Sequence, residues 1–301
     1  MTLFVLLGPT AVGKTELALK IAKHLGSPIL NCDSRQLYRG MQIGTAMPTA
    51  QERASIPHYF VGSLNLNEYY SAARYEAEVI SLVQSLAQQH ANLLLSGGSM
   101  MYIDAVCHGI DDIPTVKPDI RNQLRRRFEE QGLEPLLDEL REKDPAYYDI
   151  VDRKNHKRVV HALEIIYTSG QPYSSLRSST QKERPFRIVK VGLHRERQEL
   201  FERINRRVEQ MMTDGFLEEA RSLLPYRHEN ALNTVGYKEL FHYLDGEWSL
   251  DMAVERIKKN TRVYAKKQMT WFQRDSDIHW FHPDDEASIL SFIDAHSSPS
   301  A

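Results

Sequence analysis

The residues with the clearest chemistry form a glycine-rich run near the start of the chain. Residues 8–15 read Gly-Pro-Thr-Ala-Val-Gly-Lys-Thr, which fits the pattern G-x-x-x-x-G-K-[ST]. Glycines let backbone N–H groups turn inward around a phosphate, and the N-terminus of a following helix adds partial positive charge. The lysine supplies a mobile cation, and the last threonine supplies a hydroxyl ligand for Mg²⁺. This phosphate loop predicts a di- or triphosphate site formed by Gly8, Pro9, Thr10, Ala11, Val12, Gly13, Lys14 and Thr15.

The segments around the phosphate loop predict the elements that position it. An apolar run at residues 3–7 precedes the loop, and a helical pattern of apolar residues follows it as far as Leu25. Through the first 110 residues, short apolar runs alternate with helical patterns, as in a parallel sheet covered on both faces. The expected strands are 2–7, 28–31, 58–61, 92–96, 186–193 and 278–281.

The pattern changes after residue 112. Residues 117–169 read as helices with breaks at Gly132, Pro145 and Gly170, and the polar stretch 171–185 predicts a mobile connection. We therefore expect an α/β protein whose core is a P-loop, doubly wound parallel sheet with an inserted helical domain. Residues 1–113 and 186–301 are predicted to form the catalytic core, and residues 114–185 the helical insertion.

A carboxylate stands where a ligand of such a sheet should bind. Asp33 follows the strand expected at 28–31, and ligands of doubly wound sheets lie beyond the carboxyl ends of the strands. One interpretation is an aspartate that caps the following turn. The other is an active-site carboxylate in position to act as a general base.

Composition bounds the class of protein. The net charge is −2, hydrophobic residues make up 42% of the chain, and no apolar run reaches the 18 residues of a membrane span. The two cysteines are expected to be small buried thiols in a protein of the reducing cytoplasm. Residues 254–274 carry seven basic residues and one acid, which predicts a face for a polyanion. We expect a monomer with no membrane partner.

Five segments together resemble the bacterial tRNA dimethylallyltransferases, also called tRNA isopentenyltransferases. They are the phosphate loop and residues 33–48, 97–102, 233–238 and 264–272, in the order of that family. The resemblance implies a P-loop core with a helical insertion. It also implies transfer of the dimethylallyl group from dimethylallyl diphosphate to N6 of the adenosine just 3′ of the anticodon, tRNA position 37. The implied partners are a tRNA anticodon stem-loop, dimethylallyl diphosphate and Mg²⁺ held by Thr15.

The resemblance also implies roles for single residues. Asp33 becomes the general base, and Thr10, Lys14 and Arg207 become the groups that stabilise the departing diphosphate. From the sequence alone, Arg207 is equally able to pair with a nearby glutamate of its own helix. The tRNA-binding residues are predicted to be Asp33, Ser34, Arg35, Gln36, Ser99, Arg121, Lys157, Arg158, His161, Lys238, Lys258, Arg262 and Lys266.

Two positions depart from the family pattern. Ser99 stands where the family usually has threonine, and it keeps the hydroxyl. His161 stands where the family usually has arginine, which weakens a phosphate contact because histidine is mostly neutral at pH 7.

A P-loop kinase of a nucleoside or small metabolite, with ATP on the phosphate loop, is the alternative. Such an enzyme usually has an acidic residue at the end of a second apolar strand. Here the strand expected at 92–96 continues into Gly97, Gly98 and Ser99, without a carboxylate. This difference and the basic segment 254–274 favour the prenyl transfer.

Overall fold

The computed structural model describes residues 1–111, 113–177 and 181–299. In them, six parallel strands form a single sheet in the order β3-β2-β4-β1-β5-β6. The predicted fold class, an α/β protein with a parallel sheet core, is confirmed. The strands are β1 (Thr2–Leu7), β2 (Ile29–Cys32), β3 (His58–Tyr59), β4 (Asn92–Gly97), β5 (Arg187–Leu193) and β6 (Ile278–Phe281).

Both faces of the sheet are buried, because successive side chains of a strand point to opposite faces. On β1, Leu3, Val5 and Leu7 join one hydrophobic cluster. Phe4 and Leu6 join a second one. Continuous apolar strands are typical of a parallel sheet that is covered by helices on both sides.

The chain divides into two compact units, of which the larger comprises residues 1–107 and 183–301. The helix at Lys14–Leu25 follows the phosphate loop directly, and the helices at Arg197–Thr213 and Leu250–Phe272 carry many of the basic residues of this unit. The helices of this unit are α1 (Lys14–Leu25), α2 (Ala50–Ser55), α3 (Ala72–Leu86), α4 (Met100–His108), α10 (Arg197–Thr213), α11 (Phe216–Ser222), α12 (Tyr237–Leu244), α13 (Leu250–Phe272) and α14 (Glu286–His296).

The second unit comprises residues 108–182, whereas the sequence predicts an insertion at 114–185. Leu136, Leu140, Val159 and Leu163 are fully buried and form its core. Residues 178–180 of the connection predicted to be mobile lie outside the described residues. The helices of this unit are α5 (Pro118–Gln131), α6 (Glu134–Lys143), α7 (Pro145–Ile150), α8 (His156–Ser169) and α9 (Tyr173–Leu176).

The strand register brings three functional segments to one edge of the sheet. Leu7 at the end of β1 lies beside Gly97 at the end of β4, and Gly97 also lies beside Cys32 at the end of β2. The phosphate loop, Asp33 and Ser99 therefore leave the sheet next to one another. In the described part of the chain, no helix is long and apolar enough to cross a bilayer. Both cysteines are free and buried, as predicted.

Candidate functional site

The phosphate loop connects β1 to α1, and the side chain of its lysine folds back onto the backbone of the loop. Lys14 Nζ donates to the carbonyl oxygens of Gly8 at 2.9 Å and Pro9 at 2.7 Å. An ammonium group has three N–H donors, so one donor is left for a phosphate oxygen. Ala11 has a φ of 63°, a left-handed conformation that is strained for a residue with a side chain. Such strain persists where neighbouring contacts hold the backbone.

Three side chains from other elements hold this backbone in place. Arg195 Nε donates to Val12 O at 2.9 Å, and Arg203 Nε donates to Ala11 O at 2.9 Å. Thr10 N donates to Gln268 Oε1 at 2.9 Å. The loop conformation is therefore set by distant parts of the chain as well as by its own glycines.

Asp33 caps the turn that follows it, which is one of the two roles that the sequence leaves open. Its Oδ1 accepts from the backbone N–H groups of Arg35 at 2.9 Å and Gln36 at 3.4 Å, which is the turn-capping role. Among the described residues, no donor bonds to its second oxygen, Oδ2. One carboxylate oxygen is therefore available to a ligand while the other fixes the orientation of the side chain.

Asp33 and the end of β4 are held close together. A Cβ on Gly97 would lie 2.0 Å from Cys32 O, so that only glycine fits this close approach of β4 to β2. Ser34 N donates to Ser99 Oγ at 2.8 Å, and the two hydroxyls are 3.2 Å apart. Ser99 therefore connects the segment after β4 to the residue that follows Asp33.

A cavity of about 570 Å³ opens over the phosphate loop, and we call it the cationic cavity. Its wall includes the acidic residues Asp33 and Glu16, and basic residues from the loop and from α10. Thr15, the predicted Mg²⁺ ligand, also contributes to its wall. The residues that line it include Thr10, Ala11, Gly13, Lys14, Thr15, Asp33, Gln36, Thr45, Gly98, Arg203, Arg206, Arg207, Gln210, Tyr264 and Gln268.

A second cavity of about 330 Å³, here called the mixed cavity, adjoins the first. Apolar side chains from α10, α11 and α13 form part of its wall, and polar groups from the segments after β2 and before α12 form the rest. The two cavities share Thr10, Asp33, Thr45, Arg207 and Tyr264. The other lining residues include Ser34, Arg35, Gly44, Ile204, Val208, Met211, Phe216, Asn233, Thr234, Val235, Gly236, Lys238, Ile257 and Thr261.

The charges at this junction influence one another. Burial and, to a smaller extent, the nearby Arg207 guanidinium lower the pKa of Lys14 to about 7, and Asp33 opposes the shift. Burial also lowers the pKa of Arg207, and Asp33 again acts in the opposite direction. In the described chain no carboxylate pairs with Arg207, although its helix carries several glutamates. An anion bound here would relieve the repulsion between the two cations and favour their charged forms.

Several predicted tRNA-binding residues also have partners within the protein. Gln36 Nε2 donates to Thr45 O at 3.0 Å and to Ala46 O at 3.1 Å. Arg35 donates to Asn230 O at 2.7 Å. Ser34, Arg35 and Lys238 line the mixed cavity, and Gln36 lines the cationic one.

Lys258, Arg262 and Lys266 form a basic stripe along α13, and they differ in the partners that they have within the protein. Lys258 pairs with Glu209 at 2.8 Å and Glu255 at 2.9 Å, and Arg262 donates to Asn205 at 2.6 Å. Lys266 is exposed and has no described partner. Because these two glutamates already neutralise the Lys258 ammonium group, Lys258 should displace fewer counterions from a bound polyanion.

The remaining predicted tRNA-binding residues lie in the second unit. Arg121 lies 3.5 Å from the buried Glu164, and His161 lies 3.3 Å from the same carboxylate. Lys157 and Arg158 are exposed on the first turn of α8. These four residues therefore belong to a single surface region of that unit.

Sequence reasoning did not single out Gln268 as a site residue. It is 2% exposed, its Oε1 accepts from Thr10 N, and its Nε2 donates to Gly98 O at 2.7 Å. The signal was present, because an uncharged polar residue stands on the inward face of the amphipathic helix α13. Gln268 ties the phosphate loop to the segment after β4.

Replacing Gln268 with leucine is expected to weaken the binding of inorganic diphosphate about tenfold. The substitution leaves Thr10 N–H and Gly98 C=O without partners, so the loop relaxes from the conformation that it holds now. Calorimetric titration would measure the change. Gln273→Leu, just beyond the end of the same helix and exposed, is the control. Wild-type affinity in Gln268→Leu would remove the residue from the binding machinery.

The fold and the site together define a P-loop protein of the α/β class with a carboxylate beside its phosphate loop. The family model for IPP transferase matches residues 36–275. A protein named tRNA dimethylallyltransferase 1 from Phocaeicola vulgatus is 60% identical over 97% of both chains. Its namesake from Bacteroides fragilis is 58% identical over 98% of both chains. This chain belongs to the IPP transferase family.

Solved structures agree with this assignment. The full-length tRNA isopentenylpyrophosphate transferase from Bacillus halodurans is 33% identical, with a TM-score of 0.72, over 98% of this chain and 96% of that one. A eukaryotic dimethylallyltransferase acting on tRNA is 24% identical with a TM-score of 0.84, over 99% of this chain and 81% of that one. The second likeness concerns the fold alone.

Proposed function

We propose that this chain transfers the dimethylallyl group of dimethylallyl diphosphate to N6 of the adenosine 3′ of the anticodon, position 37, in tRNA. The observation that carries the proposal is the position of Asp33, which lines both cavities. The cationic cavity suits a diphosphate, and the mixed cavity suits a nucleobase with apolar faces and polar edges. The names of the relatives agree with this reaction.

In the proposed reaction, the bond between C1 of the allyl group and the diphosphate oxygen breaks while the bond from C1 to adenine N6 forms. Negative charge grows on the departing diphosphate. Lys14 and Arg207 line the cationic cavity, and preorganised buried cations stabilise such a charge more than water would. Thr10 lines both cavities, so it can contact the substrates where the two cavities meet.

Asp33 acts on the acceptor. Adenine N6 is a poor nucleophile because its lone pair is delocalised into the ring, so removal of a proton during bond formation helps the reaction. A carboxylate oxygen within about 3 Å of N6 can accept that proton. Oδ2 is the oxygen proposed for this step, since Oδ1 is engaged with the backbone of Arg35 and Gln36. The stacked base must leave the anticodon loop to reach the cavity.

Mg²⁺ fits the donor set of the cationic cavity. This ion prefers oxygen ligands and is usually held by one or two protein groups together with substrate phosphates and water. The Thr15 hydroxyl at the cavity wall is the proposed protein ligand. When bound, the ion would neutralise part of the charge on the diphosphate.

Basic residues away from the cavities are proposed to hold the phosphates of the tRNA stem. Lys266→Ala is expected to reduce the slope of log affinity against log salt by about one, because one phosphate contact is lost. Lys258→Ala should change the slope much less, since Glu209 and Glu255 already neutralise that ammonium group. Filter binding of tRNA over a series of salt concentrations measures both slopes. Equal slopes for the two variants would contradict the different roles given to Lys266 and Lys258.

The proposed activity is tested by mass analysis of an unmodified anticodon stem-loop after incubation with dimethylallyl diphosphate. A gain of one dimethylallyl group at position 37 is expected, and guanosine at that position should abolish it. A parallel incubation with ATP and nucleosides tests the kinase alternative. Phosphorylated nucleoside without prenylated RNA would overturn the proposal. Light scattering tests the proposed monomeric state.

A further inference from the structure

The loop between β2 and α2 is held by a carboxylate that comes from far away in the sequence. Glu219 Oε2 accepts from Gln42 N at 2.9 Å and Ile43 N at 2.8 Å, and Oε1 accepts from Gly44 N at 2.9 Å. Three consecutive backbone N–H groups thus converge on a single anionic side chain. Converging N–H groups of this kind form a concave site for an anion, and here the protein's own glutamate fills it.

A tyrosine completes this arrangement. The hydroxyl of Tyr237 donates to Glu219 Oε1 at 2.6 Å, and the tyrosine side chain is fully buried. Burial, together with the neighbouring Glu219 carboxylate, raises the pKa of Tyr237 well above its ordinary value, so the hydroxyl keeps its proton. Both oxygens of Glu219 therefore accept two hydrogen bonds each. Charge-assisted bonds of this kind are stronger than bonds between neutral groups.

The loop that Glu219 holds is packed too tightly for a side chain at its centre. A Cβ on Gly44 would lie 2.3 Å from the Phe216 ring and 2.6 Å from the Tyr237 ring. The two rings meet edge to face with their centroids 5.1 Å apart. Glu219, Phe216 and Tyr237 thus fix the loop from one side.

The same loop forms part of both cavity walls. Gly44 and Thr45 line the mixed cavity, and Thr45 and Ala46 line the cationic one. Gln36, which follows Asp33 by three residues, donates its amide to Thr45 O and Ala46 O. Residues 44 and 45 therefore form part of the wall of the mixed cavity, which Asp33 also lines.

We propose that Glu219 is a positioning residue for the acceptor: it holds residues 42–46 as the wall against which the target nucleobase is placed. This inference rests on the proposed function, in which the mixed cavity receives the adenine. Glu219 itself touches neither substrate. Its loss should affect the use of the RNA, whereas the binding of diphosphate to the phosphate loop should be unchanged.

Glu219→Gln is the informative variant, because it keeps the size of the side chain but replaces one acceptor oxygen with an N–H₂ group that faces backbone donors. It is expected to lower kcat/KM for the stem-loop RNA about 10- to 100-fold, since a displacement near 1 Å in a site can have this effect. The affinity for inorganic diphosphate should stay within about twofold of wild type. Glu218→Gln, at the exposed neighbouring position, is the matched control.

Amide hydrogen exchange reports on the hydrogen bonds from residues 42–44 to Glu219 without requiring an active enzyme. The N–H groups of residues 42–44 should exchange faster in Glu219→Gln than in wild type or Glu218→Gln. Tyr237→Phe keeps the carboxylate and the ring. It should also lower kcat/KM for the RNA and speed exchange at residues 42–44, but by less than Glu219→Gln does. If wild type fails to prenylate RNA, the proposed function fails, and the exchange experiment still tests how residues 42–44 are held.

Two results would overturn the inference. In the first, Glu219→Gln behaves like Glu218→Gln in RNA turnover and in exchange. In the second, diphosphate affinity and RNA turnover fall together with the melting temperature, which indicates general destabilisation. Loss confined to the RNA substrate, with faster exchange at residues 42–44, supports it.

Discussion

Asp33→Ala should lower the rate of prenyl transfer about 10²- to 10⁴-fold, while tRNA affinity falls much less. The reason is that a positioned general base contributes an effect of this size to proton removal. The turn holds the Asp33 carboxylate at Oδ1, and Asp33 lines both cavities. Single-turnover kinetics with saturating RNA and donor would separate the chemical step from binding.

Asp33→Asn is the control for that experiment. The amide can still accept the hydrogen bond from the Arg35 backbone, so the turn is kept, but it cannot take a proton from N6. Both variants should therefore be slow, and the asparagine variant should melt at nearly the wild-type temperature. A fast Asp33→Asn enzyme would assign the residue to the turn alone.

Lys14→Ala should lower prenyl transfer about 10²- to 10³-fold even when the donor is saturating. A charged donor aimed at a leaving group contributes about this much when its interaction strengthens in the transition state. Arg207 remains in the variant, and it is the other cation that shapes the electrostatics of Lys14. Lys14→Arg is the matched comparison, since it keeps the charge with a different geometry.

For Lys14, the split between kcat and KM is decisive. Loss in kcat at saturating donor means that the ammonium group acts on the leaving diphosphate in the transition state. A rise in KM with an unchanged kcat would mean that Lys14 only binds the ground state, and the proposed role would be wrong.

The sequence predicts the sheet well because its strands follow simple rules. β1 and β6 have the predicted bounds, and β2, β4 and β5 differ by a residue at one end or both. Three helices were missed: α2, α4 and α9, the last of which lies in the stretch 171–185 that the sequence predicts as a connection. α4 has five buried residues among nine, so that no clear apolar stripe marks it. α2 has no buried residue and depends on the capping box of Thr49 and Glu52, a signal that the sequence contained.

The site was predictable only where a local motif carries the chemistry. Gly8–Thr15 directly follow β1 and Asp33 directly follows β2. Their closeness therefore results from the positions of these two parallel strands in the sheet. Gln268 bonds to the backbone of Thr10, 258 residues away, and Glu219 bonds to the backbone of Gln42, 177 residues away. Such contacts exist only after folding. The roles of Arg121, Lys157, Arg158 and His161 toward tRNA stay predictions.

The proposed reaction requires one carboxylate to serve a nucleobase and a diphosphate at the same time. This requirement can be examined in a crystal structure of the protein with an unmodified anticodon stem-loop and inorganic diphosphate. We expect diphosphate on the phosphate loop and the flipped adenine in the mixed cavity, with N6 about 3 Å from Asp33 Oδ2. An adenine bound elsewhere, with Asp33 turned away from its amino group, would rule out Asp33 as the base.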